Sequence, residues 1–460
     1  MRSDAAQHLW FDSALLPGGW ARRVRLEGRK GRIHALATGV DPEPADERHA
    51  VAIAGLSNLH SHAFQRALAG LTERRGPAGD TFWTWRELMY RFVERIDPDQ
   101  LEAITGLAFA EMLEAGFTRV GEFHYLHRDP GGGPYEEPGE LAGRVVAAAE
   151  RTGIALTLLP SFYAHGGFGG REPSPRQRRF ITDPEQFARI LDFCRGASRA
   201  LAGANVGVAP HSLRAVTPEE LRLIAGLAPK DPIHVHISEQ VREVEDSLAR
   251  CGLRPIELLL ESVAVDRRWC LVHATHASPA ELERVAAAGA VVGLCPITEA
   301  NLGDGIFQAS AFHGAGGRLG VGTDSNVLID AAGELRGLEY SQRLEQRARN
   351  VCAREEGRSS GRMLFEAALE GGAQALAGAT PQPCGIVPGA MLDIVSLDLA
   401  HPALIERSED EILDSWIFSA GREAIDCVWR AGEKVVSGGR HRDREALVAG
   451  YRGALRALRG

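Results

Sequence analysis

The sequence predicts an α/β fold, a (β/α)8 TIM-type barrel with a small β-sandwich formed from the N- and C-terminal segments. Three observations carry that expectation. Eight short apolar segments alternate with helical stretches, the pattern of repeated βα units around a parallel sheet. β-like texture stands at both ends of the chain, and neither end can bury a face alone. His, Glu and Asp residues recur just after the apolar segments, at the rim where a barrel of this kind carries its reactive groups.

The N-terminal texture runs from about Arg22 to Ala54, with Val24-Arg-Leu and Arg32-Ile-His-Ala-Leu between polar turns. It returns in the stretch from Gly385 through Met391-Leu-Asp-Ile-Val-Ser and in Cys427-Val-Trp-Arg. Pairing the two ends divides the chain into a sandwich of 1–54 with 385–460, whose residues 443–458 read as a helix, and a barrel over 55–384. The barrel strands are expected at 54–59, 118–123, 155–160, 205–210, 232–237, 269–274, 290–295 and 318–323. Helical stretches at 99–114, 184–195, 218–226 and 279–288 fill gaps between them; Thr217-Pro218 and Ser278-Pro279 each supply a good N-cap followed by proline at the first helical position. The insert 70–97, carrying Phe82, Trp83 and Trp85, is long for a βα loop and reads equally as part of a substrate lid or as aromatic filler of the core or an interface.

A chain of 460 residues, 44% hydrophobic, has room for one such barrel and an accessory domain. The net charge of -9 and the pI near 6.0 offer no overall basic footprint, so neither a nucleic-acid nor a membrane partner is expected. Seven cysteines stand singly, without Cys-x-x-Cys spacing, which argues against a zinc ribbon or a disulfide framework and for a reducing, cytoplasmic setting. The first twenty residues carry Arg2, Asp4 and Asp12, with no signal-like apolar core, and no run of 18 apolar residues occurs. Lysine is almost absent: Lys30, Lys230 and Lys434 are the complete set, and 49 of the 52 basic residues are arginine.

His60 and His62 follow the first strand one residue apart. Strand side chains alternate faces, so both imidazoles point the same way with Cβ atoms about 6.5 to 7 Å apart, a gap two rings can close around one cation. His211 follows the fourth strand, His236 and Glu239 the fifth, His273 the sixth and Asp324 the eighth. Five strands thus deliver such groups to one rim. His234 shares a face with His236 but lies deeper, and reads as a barrel-interior histidine. His60, His62, His236 and Asp324, with a water, make a donor set for one divalent ion per chain; Zn2+ suits it best, and iron or another divalent ion also fits. Such an ion brings the pKa of a bound water from about 15.7 towards ~7. Asp324 can then accept a hydrogen bond from that water, leaving Glu239 and His273 to move protons or balance charge, in an order the sequence leaves open. Arg214, just past the fourth strand, offers a guanidinium fork for a carboxylate.

This set, His60-x-His62, His236-x-x-Glu239, His273 and Asp324 in Gly322-Thr-Asp-Ser, resembles the amidohydrolase superfamily. With no lysine between Lys30 and Lys230, the superfamily's lysine-bridged two-metal version is excluded, and a mononuclear site of the kind its deaminases carry remains. The stretches Asn58-Leu-His-Ser-His-Ala-Phe-Gln-Arg66, Phe82-Trp-Thr-Trp-Arg-Glu-Leu-Met-Tyr90, Glu122-Phe-His-Tyr-Leu-His127, Pro210-His-Ser-Leu-Arg214 and His234-Val-His-Ile-Ser-Glu239 resemble its N-formimino-L-glutamate deiminase family. That resemblance implies hydrolysis of a formimino group to a formyl group and ammonia in histidine degradation, with zinc and a homodimer. It also implies substrate contacts from Gln65, Tyr125, His211 and Arg214, and the substrate's two carboxylates point to Arg86 as well. Two rivals stand beside it: a mononuclear deaminase of a purine or pyrimidine amine, whose flat substrate would not need Arg214, and a non-catalytic binding protein on the same barrel, which would be expected to have lost a ligand or Glu239.

Overall fold

The computed structural model describes residues 6–76 and 79–459; residues 77 and 78, within the insert 70–97 read as lid or filler, lie outside them. The chain opens with β1 (Gln7–Leu16), β2 (Gly19–Arg29), β3 (Arg32–Ala37) and β4 (Glu47–Ala54). The barrel follows: β5 (Leu56–Ser61), β6 (Phe117–His124), β7 (Ala155–Phe162), a fourth strand in two pieces, β8 (Asn205–Val206) and β9 (Ala209–Pro210), then β10 (Ile233–Ile237), β11 (Trp269–His273), β12 (Val291–Leu294) and β13 (Arg318–Val321). Four strands end the series: β14 (Ile394–Leu397), β15 (Ile425–Arg430), β16 (Glu433–Ser437) and β17 (Arg440–His441).

All eight expected barrel strands are present within a few residues of their predicted bounds, and they pair in parallel. Every residue of β5, β7, β10, β11 and β12 is buried, as strands covered on both faces must be. Regular pairing gives one sheet of β5 to β9 and another of β10 to β13. Single bridges join them: Val208 to Ile233 and Ser212 to His236 on one seam, Ser61 to Asp324 on the other. The helices between strands start on a repeated device: Asp97, Asp183, Thr217 and Ser278 each accept a bond from a backbone N–H one turn ahead, with proline at the start of the helix. Helix Ser360–Ala377 presses Ala375 and Leu376 against Leu59, Cys270, Val272 and Val291, plugging the barrel at the end where its strands begin.

The two termini pair, as expected. In the order β17-β16-β15-β14-β4-β1-β2-β3 they form one hydrogen-bonded sheet, in which antiparallel β4 and β14 join the N-terminal and C-terminal halves. β4 passes through Gly55 straight into β5. A Cβ on Gly55 would sit 2.2 Å from Thr118 Cγ2, so β6 can lie beside this crossing only because the residue is glycine. The last helix, Arg444–Arg459, packs on barrel helix Pro98–Glu114, with Leu447 against Leu107 and Ala110 and Arg444 paired to both Glu111 and Glu114. No helix among the described residues is long and apolar enough to cross a membrane.

The β5–β13 seam predicts a sharp sensitivity. A Cβ on Gly322 would lie 2.7 Å from both the nitrogen and the oxygen of His60. Gly322→Ala is expected to cost about 1 to 3 kcal/mol in chemical denaturation, whereas Gly18→Ala, which meets nothing within 4 Å, should be close to neutral.

Candidate active site

β5 carries His60 and the turn after it carries His62; β10 carries His236; the residue after the β13 turn is Asp324. Nδ1 of His62 donates to the Phe123 carbonyl at 2.8 Å, and Nδ1 of His236 to the His211 carbonyl at 3.0 Å. A carbonyl can only accept, so both rings hold their proton on Nδ1 and turn the Nε2 lone pair inward. There His236 Nε2 stands 3.1 Å from His60 Nε2 and 3.3 Å from His62 Nε2, while Asp324 Oδ1 stands 3.5 and 3.3 Å from the same two nitrogens. With no proton between His62 and His236, their facing lone pairs repel unless a cation lies between them. Four ligands at bonds of ~2.0 to 2.1 Å around a tetrahedral ion are spaced about 3.3 to 3.4 Å apart, which matches the observed spacing.

Electrostatics agree with that reading. Burial drives the His60 imidazole down to about 3 and lowers His62 and His236 as well, so all three rings are neutral. Burial pushes the Asp324 carboxyl up, but the hydrogen bond to His60 and the nearby His62, His60 and His273 outweigh it and hold the group below the usual carboxylate range. Neutral imidazoles with an ionised carboxylate are the states that metal binding requires.

Tight backbone turns aim the remaining groups. Ser238, His273 and Asp324 sit at φ of 50°, 71° and 42°, left-handed values that cost energy in residues other than glycine and that gather at functional sites. Past Ser238 the chain swings Glu239 over the cluster, its Oε1 3.9 Å from His273 Nε2 and its Oε2 3.4 Å from Arg214 Nη2. Burial raises the Glu239 carboxyl, opposed by His273 and Arg214 and assisted by Glu243 and Asp324. His273 Nε2 also lies 3.9 Å from Asp324 Oδ2. Burial lowers the His273 imidazole, but its bond to Glu299 and the charges of Glu239 and Asp324 carry it up to about 10.

Above the cluster opens a cavity of about 450 Å3, and Gln65, Tyr125, His211, Arg214 and Arg86 all line it. Gln65 donates to the Tyr125 hydroxyl at 2.8 Å and leaves its own carbonyl oxygen without a partner. The His211 ring packs on Tyr163 with centroids 4.6 Å apart. Helix Phe82–Val93, from the insert, supplies a wall through Phe82, Trp83 and Trp85. Three guanidiniums gather on the Trp83 indole: Arg86 at 4.6 Å, Arg242 at 4.9 Å and Arg214 at 5.7 Å from its centroid. His234 faces away from the cavity and bonds the Ala375 carbonyl at 2.9 Å. Two residues escaped the sequence reading. Arg242 had no signal among so many arginines. Glu299 had one, a lone acid in Cys295-Pro-Ile-Thr-Glu just after a barrel strand, but its partner His273 is 26 residues away.

The sequence profile of the Amidohydrolase family matches residues 51–435. The chain belongs to the amidohydrolase family. Residues 9–50 match a second profile, "Formimidoylglutamate deiminase HutF, N-terminal domain". The chain is 48% identical to a formimidoylglutamate deiminase of Pseudomonas aeruginosa over 96% of its own length and 97% of that protein's. An 8-oxoguanine deaminase of the same organism is 27% identical, with 93% of each chain covered. Among amidohydrolases of known structure, one from Brucella melitensis superposes with a TM-score of 0.95 at 51% identity, covering 99% of this chain and 100% of the other. A zinc-bound adenosine deaminase from Xanthomonas campestris shares the fold, with a TM-score of 0.79 at 22% identity and 98% of each chain covered.

The four-residue cluster predicts one divalent ion per chain when the protein is assayed by elemental analysis after dialysis. His236→Ala, which removes one of four ligands, should bring the stoichiometry well below one, and the same value in both proteins would count against the cluster.

Proposed function

We propose that this amidohydrolase hydrolyses the formimino group of N-formimino-L-glutamate, giving N-formyl-L-glutamate and ammonia, a step of histidine degradation. The observation that carries the reading is the placement of Glu239 and His273 between the four-ligand cluster and a cavity walled by the guanidiniums of Arg86, Arg214 and Arg242. The close likeness to a formimidoylglutamate deiminase supports it. Three imidazole nitrogens and one carboxylate oxygen suit zinc among the divalent ions.

His60, His62, His236 and Asp324 would hold the ion, which when bound supplies Lewis-acid activation of water at neutral pH. The other groups act on the substrate. A formimino carbon is an acyclic amidine: water adds its oxygen there, the C–N bond to the terminal nitrogen breaks, and that nitrogen must gain protons to leave as ammonia. Glu239, with its carboxyl raised by burial and its oxygen beside His273, is placed to carry a proton to that nitrogen. His273 balances the negative charge that gathers between Glu239 and Asp324. In this reading the substrate's two carboxylates meet Arg214, which stands beside Glu239, and Arg86, charges that a flat purine or pyrimidine amine would leave unused. Gln65, which lines the cavity and is tied to Tyr125, keeps a buried acceptor oxygen without a partner. In this reading the barrel, 55–384, carries the chemistry, and the segment 1–54 with 385–460 braces it.

Ammonia release from N-formimino-L-glutamate, compared with a panel of purine and pyrimidine amines, tests the substrate; release from the panel alone would overturn it. Glu239→Gln should abolish turnover while metal content stays near that of the wild type. Arg214→Ala should cost roughly 2 to 5 kcal/mol in kcat/KM for the formimino substrate.

A further inference from the structure

Resting on the deiminase reading above, we infer that Glu299 is the positioning residue for His273. His273 is 1% exposed, and its two ring nitrogens face different groups. Nδ1 lies 3.1 Å from Glu299 Oε1, whereas Nε2 lies 3.9 Å from Glu239 Oε1 and 3.9 Å from Asp324 Oδ2. A carboxylate oxygen can only accept, so Glu299 holds the N–H at Nδ1 and keeps Nε2 directed at the two acids of the reaction. The ring has little room to choose otherwise. It stacks on His236 with centroids 5.7 Å apart and planes at 21°, meets His60 edge-on at 6.1 Å, and hangs from a left-handed backbone at His273 and Ala274.

Glu299 is itself held. Its Oε1 accepts a bond from the Cys295 backbone N–H at 2.9 Å, and among the described residues no lysine or arginine forms an ion pair with it, which leaves His273 as its cationic partner. The residue before it, Thr298, donates to the Thr323 carbonyl at 3.1 Å and meets the Ser325 hydroxyl at 3.0 Å, on either side of Asp324. The helix Pro296–Leu302 therefore grips both His273 and the turn that presents Asp324. Glu299 and Thr298 set that spacing from behind the cavity, which the helix lines only through its last residue, Leu302.

The test uses full-length, metal-loaded protein with Glu299→Leu and Glu299→Gln, reading ammonia release from N-formimino-L-glutamate and the hydrogen-bonded Nδ1–H signal of His273 by NMR of protein labelled with 15N-histidine. In Glu299→Leu, kcat should fall roughly 10- to 100-fold, with KM and metal stoichiometry unchanged and the His273 Nδ1–H signal shifted or lost to exchange. Glu299→Gln, whose amide oxygen still accepts from Nδ1 and from the Cys295 N–H, should recover most of the loss. A residue that merely caps the Pro296–Leu302 helix would lower the unfolding midpoint of Glu299→Leu and leave kcat and the His273 signals as they are, and that outcome overturns the inference. Should Glu299→Leu fail to fold, Glu299→Asp, whose carboxylate is withdrawn by one methylene, is expected to show the same fall in kcat at constant KM, and wild-type kcat there would overturn it equally. A wild-type protein that releases no ammonia would instead sink the substrate reading, while the His273 spectra still decide the role of Glu299.

Discussion

The closing of the barrel between its first and last strands is the constraint on which the rest of the structure depends. At that seam the His60 carbonyl accepts bonds from the N–H groups of both Thr323 and Asp324 at 3.0 Å, and the His62 N–H donates to the Asp324 carbonyl at 2.9 Å. The residues whose backbones bond to close the barrel thus include three of the four cluster residues, His60, His62 and Asp324. Asn58 bonds the Thr323 side chain and main chain, Thr323 bonds Asn326, and Asn326 reaches back to Ser61, so the seam is locked by buried side chains as well. Each such bond contributes about 0.5 to 1.5 kcal/mol net, but breaking one strands a buried polar group, which costs more. The ligand spacing is therefore as rigid as the fold.

The site works against stability in several ways at once. Three imidazoles are desolvated, those of His62 and His236 with their lone pairs facing one another, carboxyl groups are buried beside each other, and Ser238, His273, Ala274 and Asp324 adopt left-handed backbone. A cation at the cluster offsets the first of these costs directly, and the seam and the helix Pro296–Leu302 hold the others in place. Charge is also arranged locally rather than globally. The chain carries a net charge of -9, yet Arg86, Arg171, Arg214, Arg242 and Arg250 all line one cavity. An anionic substrate is met by that wall, with the Trp83 indole as the platform on which three of the guanidiniums rest.

Much of this was legible in the sequence because its signals are local. Barrel strands buried on both faces must be short continuous apolar runs, and helices that start on a cap followed by proline announce themselves, so the eight strands and several helix starts stood in plain view. Histidines placed at strand ends acquire a common direction from the fold class alone. The contacts of Arg242 and Glu299 were not legible, because each acquires meaning only from a partner on another strand or helix. The same holds for the final helix, whose amphipathic pattern says that it packs but not that it packs on the barrel helix Pro98–Glu114.

By itself, then, the sequence determined the barrel, the pairing of the chain ends and the groups gathered at the carboxyl ends of the strands, since periodicity and order along the chain suffice for these. The lysine census likewise ruled out a lysine bridge without any coordinates. The tertiary structure alone decided which nitrogen of each imidazole faces inward, which acid stands behind His273, and how the insert brings Trp83 over the cavity. Those features depend on distances of a few ångströms between residues up to 265 positions apart, as at Asn58 and Thr323, and closure of the barrel is what sets such distances.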